Sequence, residues 1–580
     1  MNKIYFPIAF HAHQPIGNFD WVIEDIYEKS YNPLLHVIEN HPNIRVDLHI
    51  SGPLLEWLQT NRDNFLERIA RQVKRGVINV IGGGFYEPIL AIIPENDRIK
   101  QLEMTIDWWQ DSYNIKPEGT WLAERVWEPS LVSSLADANI KFIMIDDNHI
   151  RSAGYSEKET FQTFITEDQG KEIIVVPINE KIRYLTPWAE VIKTEEYLKS
   201  VYDPKVPQLL VSFDDAEKMG HWPGKGRSTF EICYKNGYSG KPWLEEYFQL
   251  ADSTNWIQSS HIMDFINQHP PHGLIYLPST SYDKMGIWAL PTKYRKQVED
   301  FQIKIKKSKK FSSKETFFLK NFVKGTFWRN FLIKYPEANL MHKRMLYSSM
   351  RLKNIIKTSQ NNNLQDAYKN ILKAQTNDAY WHGMFAGIYF RFLRCNIYKY
   401  LILADNIIDN NQDSFQVEKI KYETRNFLKN GSNQIIVSTN FYKAFFDPQK
   451  GGTLFELDDM KNKYNWLNTL GRYKEPYHSE NSDLIFDVLP KQAFRITIME
   501  REELPKKKQP RMRIIGSAHS ESYNTKKNDN TIIFERKEKL SNNTKDIIIE
   551  VKKIFSFYED YFDWNITCTI YKEHENKQSF

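Results

Sequence analysis

Short apolar runs alternate with amphipathic stretches through the first half of the chain. The runs are Ile4–Phe10, Val46–Ile50, Val77–Ile81, Ile140–Ile145, Ile173–Val176, Leu209–Phe213 and Leu274–Leu277, and a further candidate lies near Thr120–Ala123. Between two of them, Leu54, Leu55, Leu58, Phe65, Leu66, Ile69 and Val73 keep helical spacing, and Gly76 is placed to stop that helix. Buried strand alternating with amphipathic helix predicts a parallel β/α domain, whose strand ends gather polar residues around one mouth if the sheet closes. Periodicity alone does not establish closure.

Past residue 295 the pattern lengthens into helices. Leu364, Tyr368, Ile371, Leu372 and Gln375 follow helical spacing, immediately before NDAYWHG. After residue 433 it turns strand-like in QIIVSTNFYKAFFD, DNTIIFERK and DIIIEVKKIFSF, with Gly451–Gly452 as a turn and Trp564–Tyr571 as a final strand. The expected division is 1–294 for the β/α domain, 295–430 for a helical domain, and 431–580 for an all-β domain of sandwich type. The lysines at 304, 306, 307, 309 and 310, those at 506–508, and the polar stretch Ser359–Asn363 read as solvated surface or loop.

Composition narrows the classes. A chain of 580 residues with 41% hydrophobic positions can bury large cores, which excludes a wholly disordered protein. The net charge of +5 gives no general case for nucleic-acid binding. No apolar run is long enough to span a bilayer, and the opening MNKIYFPIAFHAHQP carries no usable cleavage pattern. Three cysteines, Cys233, Cys395 and Cys568, cannot build a disulfide framework. A cytoplasmic multidomain protein is the expectation.

Five segments concentrate chemistry. AFHAHQP sets His11 and His13 two apart at a strand end, on one face if the strand continues; such a pair can ligate zinc, line a sugar pocket or satisfy backbone carbonyls. GGGFYEPIL lets the backbone turn closely beside a ligand and presents Glu87, but lacks the lysine and spacing of a phosphate loop. WLAERVWEP interleaves Glu124 and Glu128 with Trp121 and Trp127. VSFDDAEKMGHWPG offers Asp214, Asp215 and Glu217 beside His221 and Trp222. Carboxylates do the acid, base and nucleophile work at sugars, while aromatic faces cover the apolar faces of sugar rings; the bland alternative is that each carboxylate pairs with Arg125, Lys218 or another base. In AQTNDAYWHG, Asp378, Trp381 and His382 either cap a helix or lend a helical tip to the mouth.

Taken in this order, the five segments resemble those of glycoside hydrolase family 57, in its 4-alpha-glucanotransferase and alpha-amylase-like branch. The likeness extends through the helical middle to GGTLFELDDMKNKYNWLNTLGRYKEPYH. It implies an α/β fold with an incomplete (β/α)7 barrel, a helical region and a C-terminal β-sandwich. It also implies Glu124 as nucleophile and Asp215 as general acid/base, with His13, Glu87, Trp121, Trp222, Asp378, Trp381 and His382 around the donor sugar. His11, Asp214, Glu217 and His221 complete the candidate set from the residues themselves. The implied reaction is double displacement on an alpha-glucan or maltooligosaccharide, by transfer or by hydrolysis, without cofactor or metal; some relatives form homodimers. Rival readings are metal-dependent sugar-polymer deacetylation through His11, His13 and an aspartate, and non-enzymatic glucan binding. Two departures stand out: relatives of this branch continue past the point corresponding to Phe580, and Ile287 stands where they carry an acidic residue.

Overall fold

The computed structural model describes residues 2–579 except 225, 309, 313–314, 317–318, 320–321, 358–360, 385–386, 412–418, 479–483, 503–510, 543–544 and 573–574. Lys309, Lys506–Lys508 and the start of the Ser359–Asn363 stretch therefore lie outside the described residues. The chain forms two compact units: residues 1–334 with 375–393, and residues 335–374 with 394–580.

In the first unit the apolar runs become strands. Pro7 divides the first run into β1 (Ile4–Phe6) and β2 (Ile8–Ala12), because proline cannot donate to a ladder. There follow β3 (Val46–Ile50), β4 (Ile78–Gly83), β5 (Gly119–Trp121), β6 (Phe142–Asp146), β7 (Phe164–Asp168), β8 (Lys171–Ile178), β9 (Gln208–Leu209), β10 (Ser212–Asp215) and β11 (Ile257–Ser259). The central sheet runs β10-β2-β3-β4-β5-β6-β8-β7 and is parallel except for the β7–β8 hairpin; β11-β1-β9 forms a second, parallel sheet. An isolated parallel bridge joins Ile178, at the end of β8, to Val211, just before β10, and the Asn179 N–H donates to the Val211 carbonyl at 3.0 Å. Strands such as β2, β3 and β6 are buried on both faces, which is why they read as apolar runs.

Two expectations need correction. Leu274–Leu277 is not a strand; only Leu274 makes an isolated bridge, to Ile165, and Leu274 and Tyr276 are exposed. The strand in its place is β5, from the run near Thr120. The helix expected through Leu54–Val73 is two, Gly52–Asn61 and Asp63–Lys74, broken where Arg62 leaves helical geometry (φ −146°, ψ 44°). Gly76 does end the second, at φ +71°.

The second unit holds the helices Pro336–Ile356 and Asn363–Lys373 and most of Arg391–Asn410, packed through Leu352, Ile371 and Ile408. Arg344, fully buried, is ion-paired to Asp405 and Glu456 at 2.7 Å and to Asp458 at 3.1 Å, fastening these helices to a five-stranded antiparallel sheet. A single apolar core combines Val437, Phe446 and Leu454 of that sheet with Phe534, Val551 and Phe555 of a second five-stranded sheet. The molecule is thus an α/β sheet unit followed by helices and C-terminal β-sheets. Among the described residues, no helix is long and apolar enough to cross a membrane.

Candidate active site

Every candidate residue before position 300 sits at or just beyond the C-terminal end of a strand, where parallel sheets place ligands. His11, next to last in β2, faces His49 of β3 in register. Their Nδ1 atoms are 2.8 Å apart. Glu87 Oε1 stands 3.9 Å from His11 Nδ1 and 3.7 Å from His49 Nδ1. Burial, aided by the Asp378 charge and opposed by His13, lifts Glu87 to about 8, so its carboxyl is neutral through the neutral range. Burial, then the charge on His13, lowers His49 to about 3; burial, then His49 and His13, also holds His11 well below its ordinary value. One donor atom from each of His11, His49 and Glu87 falls within 4.8 Å of the others, the spacing of a group able to hold a metal. The 2.8 Å separation is that of a hydrogen bond, and it engages one nitrogen of each ring with the other.

His13 behaves oppositely. Burial would lower it, but Asp378, 3.3 Å from its Nε2, together with Glu87 and Glu217 raises it to about 9. Asp378 is held below the usual carboxylate range against its burial by the same partner and by Thr376. The segment carrying Asp378 is docked by Asn377, whose backbone N–H and Nδ2 both donate to the Glu87 carbonyl (3.1 and 2.8 Å), and by Gln375, which donates to Asp97 at 2.6 Å. Trp381 donates through Nε1 to Asn377 Oδ1 at 2.9 Å, and its ring stacks on Trp288 with centroids 6.2 Å apart. Asp378, Trp381 and His382 thus belong to the same compact unit as the strand ends.

Glu124 follows β5 in a left-handed conformation (φ 52°), as does Arg125 (φ 50°); Glu87 shares it at φ 51°. Three non-glycine residues in this conformation at one site mark backbone held by its surroundings. Those surroundings are visible: Ser281 Oγ donates to the Glu124 carbonyl at 2.9 Å, Trp127 and Thr280 form an antiparallel bridge, and Arg125 is ion-paired to Asp146 at 2.8 Å beneath the Tyr282 ring. The Tyr282 hydroxyl donates to Glu124 Oε2 at 2.7 Å. Burial raises the Glu124 carboxyl; Tyr282 and Arg125 pull it down, and Asp215 and Asp378 push it up. Arg125 therefore neutralises Asp146 as well as moderating Glu124. Glu128 belongs elsewhere, held by both Arg329 nitrogens at 2.6 and 2.9 Å.

The two aspartates ending β10 differ. Asp214 is buried, 2.5 Å from Lys218 Nζ and 3.6 Å from Arg183, and accepts the Asp215 N–H at 3.0 Å. Asp215 is partly open, with Arg183 Nη2 at 3.4 Å. Glu217 is lifted to about 7 by burial, although Tyr31 and the His13 backbone N–H both donate to it. His221 is exposed and lies 3.5 Å from Asp25, and Trp222 is tied through its backbone to Glu217 and Thr229. Trp121 is buried with one face covered by His11, centroids 4.5 Å apart. Sequence reasoning missed His49, Tyr31, Arg183 and Tyr282. Only His49 carried a signal, a polar residue ending an apolar run.

A strand-end pocket with a positioned glutamate, a partly open aspartate, protonated histidine and aromatic walls is the layout of a glycoside-processing enzyme. Residues 7–278 match glycosyl hydrolase family 57; residues 326–408 match the alpha-amylase/4-alpha-glucanotransferase middle domain and 429–484 its C-terminal domain. The chain is 40% identical over 479 residues to a 4-alpha-glucanotransferase of Thermococcus litoralis, covering 82% of this chain and 67% of that one. It is 36% identical over 570 residues to an alpha-amylase of Pyrococcus horikoshii, covering 97% and 84%. The crystal structure of the 4-alpha-glucanotransferase from Thermococcus litoralis superposes with a TM-score of 0.86 at 34% identity, over 99% of this chain and 85% of that one. The chain belongs to glycosyl hydrolase family 57.

Proposed function

We propose that this alpha-glucan-active enzyme works by double displacement and that its main reaction is 4-alpha-glucanotransfer on alpha-1,4-linked glucans. The observation that carries the reading is the Glu124–Tyr282 hydrogen bond beside Asp215: a partly buried carboxylate held by one donor, within the field of a second partly buried carboxylate. Glu124 attacks the anomeric carbon while Asp215 gives its proton to the departing oxygen. Asp215 then takes the proton of the incoming sugar hydroxyl, so the alpha configuration is retained. This requires the two carboxyl groups to stand about 5–5.5 Å apart. His13 as imidazolium, Asp378 and neutral Glu87 bind hydroxyls of the donor sugar, with His11, Trp121, Trp381 and His382 shaping its walls. Asp214 and Glu217 hold the acid loop, and His221 and Trp222 meet the chain farther out.

The same reading takes the sheet as a (β/α)7 barrel, supported by the Ile178–Val211 bridge, and the C-terminal sheets as a sandwich, supported by their shared core. It divides the chain at about residues 294 and 430, and places the protein in the cytoplasm, which three unpaired cysteines suit. A homodimer belongs to it as well. Incubation with maltooligosaccharides of one length tests the chemistry. Products both longer and shorter than the input are expected. Shortening alone would make the enzyme an amylase, and no change with any glucan would reject the reading.

A further inference from the structure

His49 lies behind the pocket wall, 1% exposed, and nothing in the mechanism above uses it. Its Nδ1 meets His11 Nδ1 at 2.8 Å, so one ring donates and the other accepts. Which does so follows from the other side of His49. A Cβ placed on Gly83 would fall 2.4 Å from His49 Nε2, with Cδ2 and Cε1 at 3.2 and 3.3 Å. The Gly83 Cα hydrogen that occupies that direction is therefore turned toward the Nε2 edge of the ring. A proton on Nε2 would be driven against it, whereas a lone pair receives it as a weak C–H contact. Glycine at position 83 is thus what admits the ring, and the packing leaves Nε2 bare.

Burial and the neighbouring His13 charge keep both rings neutral, so each carries one proton. With Nε2 of His49 bare, its proton is on Nδ1 and is donated to His11 Nδ1. His11 must then carry its own proton on Nε2. That atom makes no hydrogen bond to the protein among the described residues, which leaves its proton for a ligand. The His11 ring lies nearly parallel to those of Trp121 and His13, with centroids 4.5 and 5.8 Å away.

We propose that His49 is a positioning residue that locks His11 in the Nε2–H tautomer, giving the pocket a fixed hydrogen-bond donor for a hydroxyl of the bound sugar. The assignment of that donor to a sugar rests on the function proposed above; the tautomer does not. The arrangement explains why a strand-end histidine, a facing histidine and a glycine occur together on β2, β3 and β4.

The wild-type protein labelled with 15N in histidine decides the first part. The His11 signals, identified by their loss in His11→Gln, should show a protonated Nε2 and a bare Nδ1; the reverse pattern overturns the proposal even if the enzyme is fully active. Kinetics on maltooligosaccharides decide the second. His49→Leu fills the same space without a donor and should lower kcat/KM roughly tenfold. His49→Asn, whose amide nitrogen can occupy the Nδ1 position, should restore most of that loss. Equal activity of the Leu and Asn variants, with unchanged melting temperatures, would reduce His49 to packing. A wild-type enzyme inactive on every glucan would defeat the functional reading and leave the tautomer result standing on its own.

Discussion

Tyr282 donates its hydroxyl to Glu124 Oε2 at 2.7 Å across 158 residues of chain. The donor lowers a carboxyl that burial pushes upward, and it leaves the other oxygen for attack. Tyr282→Phe is therefore expected to raise the Glu124 pKa. In the proposed double displacement Glu124 attacks in its ionised form, so the acid limb of the kcat/KM profile should move to higher pH, and the rate at neutral pH should fall about tenfold or more. A pH–rate series on both proteins checks this; an unmoved acid limb would remove Tyr282 from the nucleophile's support.

Asp214 and Asp215 should separate stability from chemistry. Asp214→Asn leaves Lys218, 4% exposed, without its 2.5 Å partner, and breaking such a buried pair costs about 3–5 kcal/mol. Its melting temperature should drop sharply. Asp215→Asn should keep the melting temperature but lose nearly all activity on natural glucans, while the glycosyl-enzyme still forms from a substrate whose leaving group needs no proton. Equal first-step losses on both substrates would shift the acid role away from Asp215.

Much of this organisation could be read along the chain, and the exceptions have physical reasons. Strands such as Val46–Ile50 are buried on both faces, so their sequence is a continuous apolar run. Leu274–Leu277 has the same local signature but packs with Leu274 and Tyr276 outward, because run length does not record what lies beside it. Polar residues that follow apolar runs, His11, Glu124 and Asp215, stand out against their neighbours. Tyr282 and Arg183 do not, since a lone tyrosine or arginine acquires its meaning only from the distant carboxylate it meets.

The His13–Asp378 pair gives a pH signature. His13 rises from 6.5 to about 9 on folding, which corresponds to about 3 kcal/mol. A raised folded pKa means the folded state holds the proton longer, so this stability is fully present below pH 6.5 and lost as pH climbs through 9. Thermal melts of the wild type and Asp378→Asn should differ most at pH 6 and converge toward pH 9. A constant offset across that window would mean that His13 does not titrate against Asp378.

Chelation separates the sugar chemistry from a metal-dependent one. His11 and His49 direct their Nδ1 atoms at one another, and Glu87 stays protonated up to about 8, so the donor set is neither free nor anionic near neutral pH. Exhaustive chelation is expected to leave glucan activity unchanged. Loss of activity that one stoichiometric transition metal restores would favour the deacetylase-type reading.

Trp381 supplies the last test, because its support is known in detail. Its indole N–H is fixed by Asn377, which is itself anchored to the Glu87 carbonyl, and its ring lies nearly parallel to Trp288 at 19°. Gly383 has no room for a side chain between these two rings: a Cβ there would fall 2.5 Å from Trp288 and 2.6 Å from Trp381. The pair therefore forms a rigid aromatic wall one residue from His382 and three from Asp378. Water needs no wall to reach a glycosyl-enzyme, whereas a sugar acceptor must be held. Trp381→Ala should raise KM for maltooligosaccharides and lower the ratio of transfer to hydrolysis, with the rate of glycosyl-enzyme formation from an activated donor less affected. Partition of the product ladder between lengthened and shortened chains reads the ratio directly. An unchanged ratio with an unchanged KM would confine Trp381 to packing against Trp288 and Phe331.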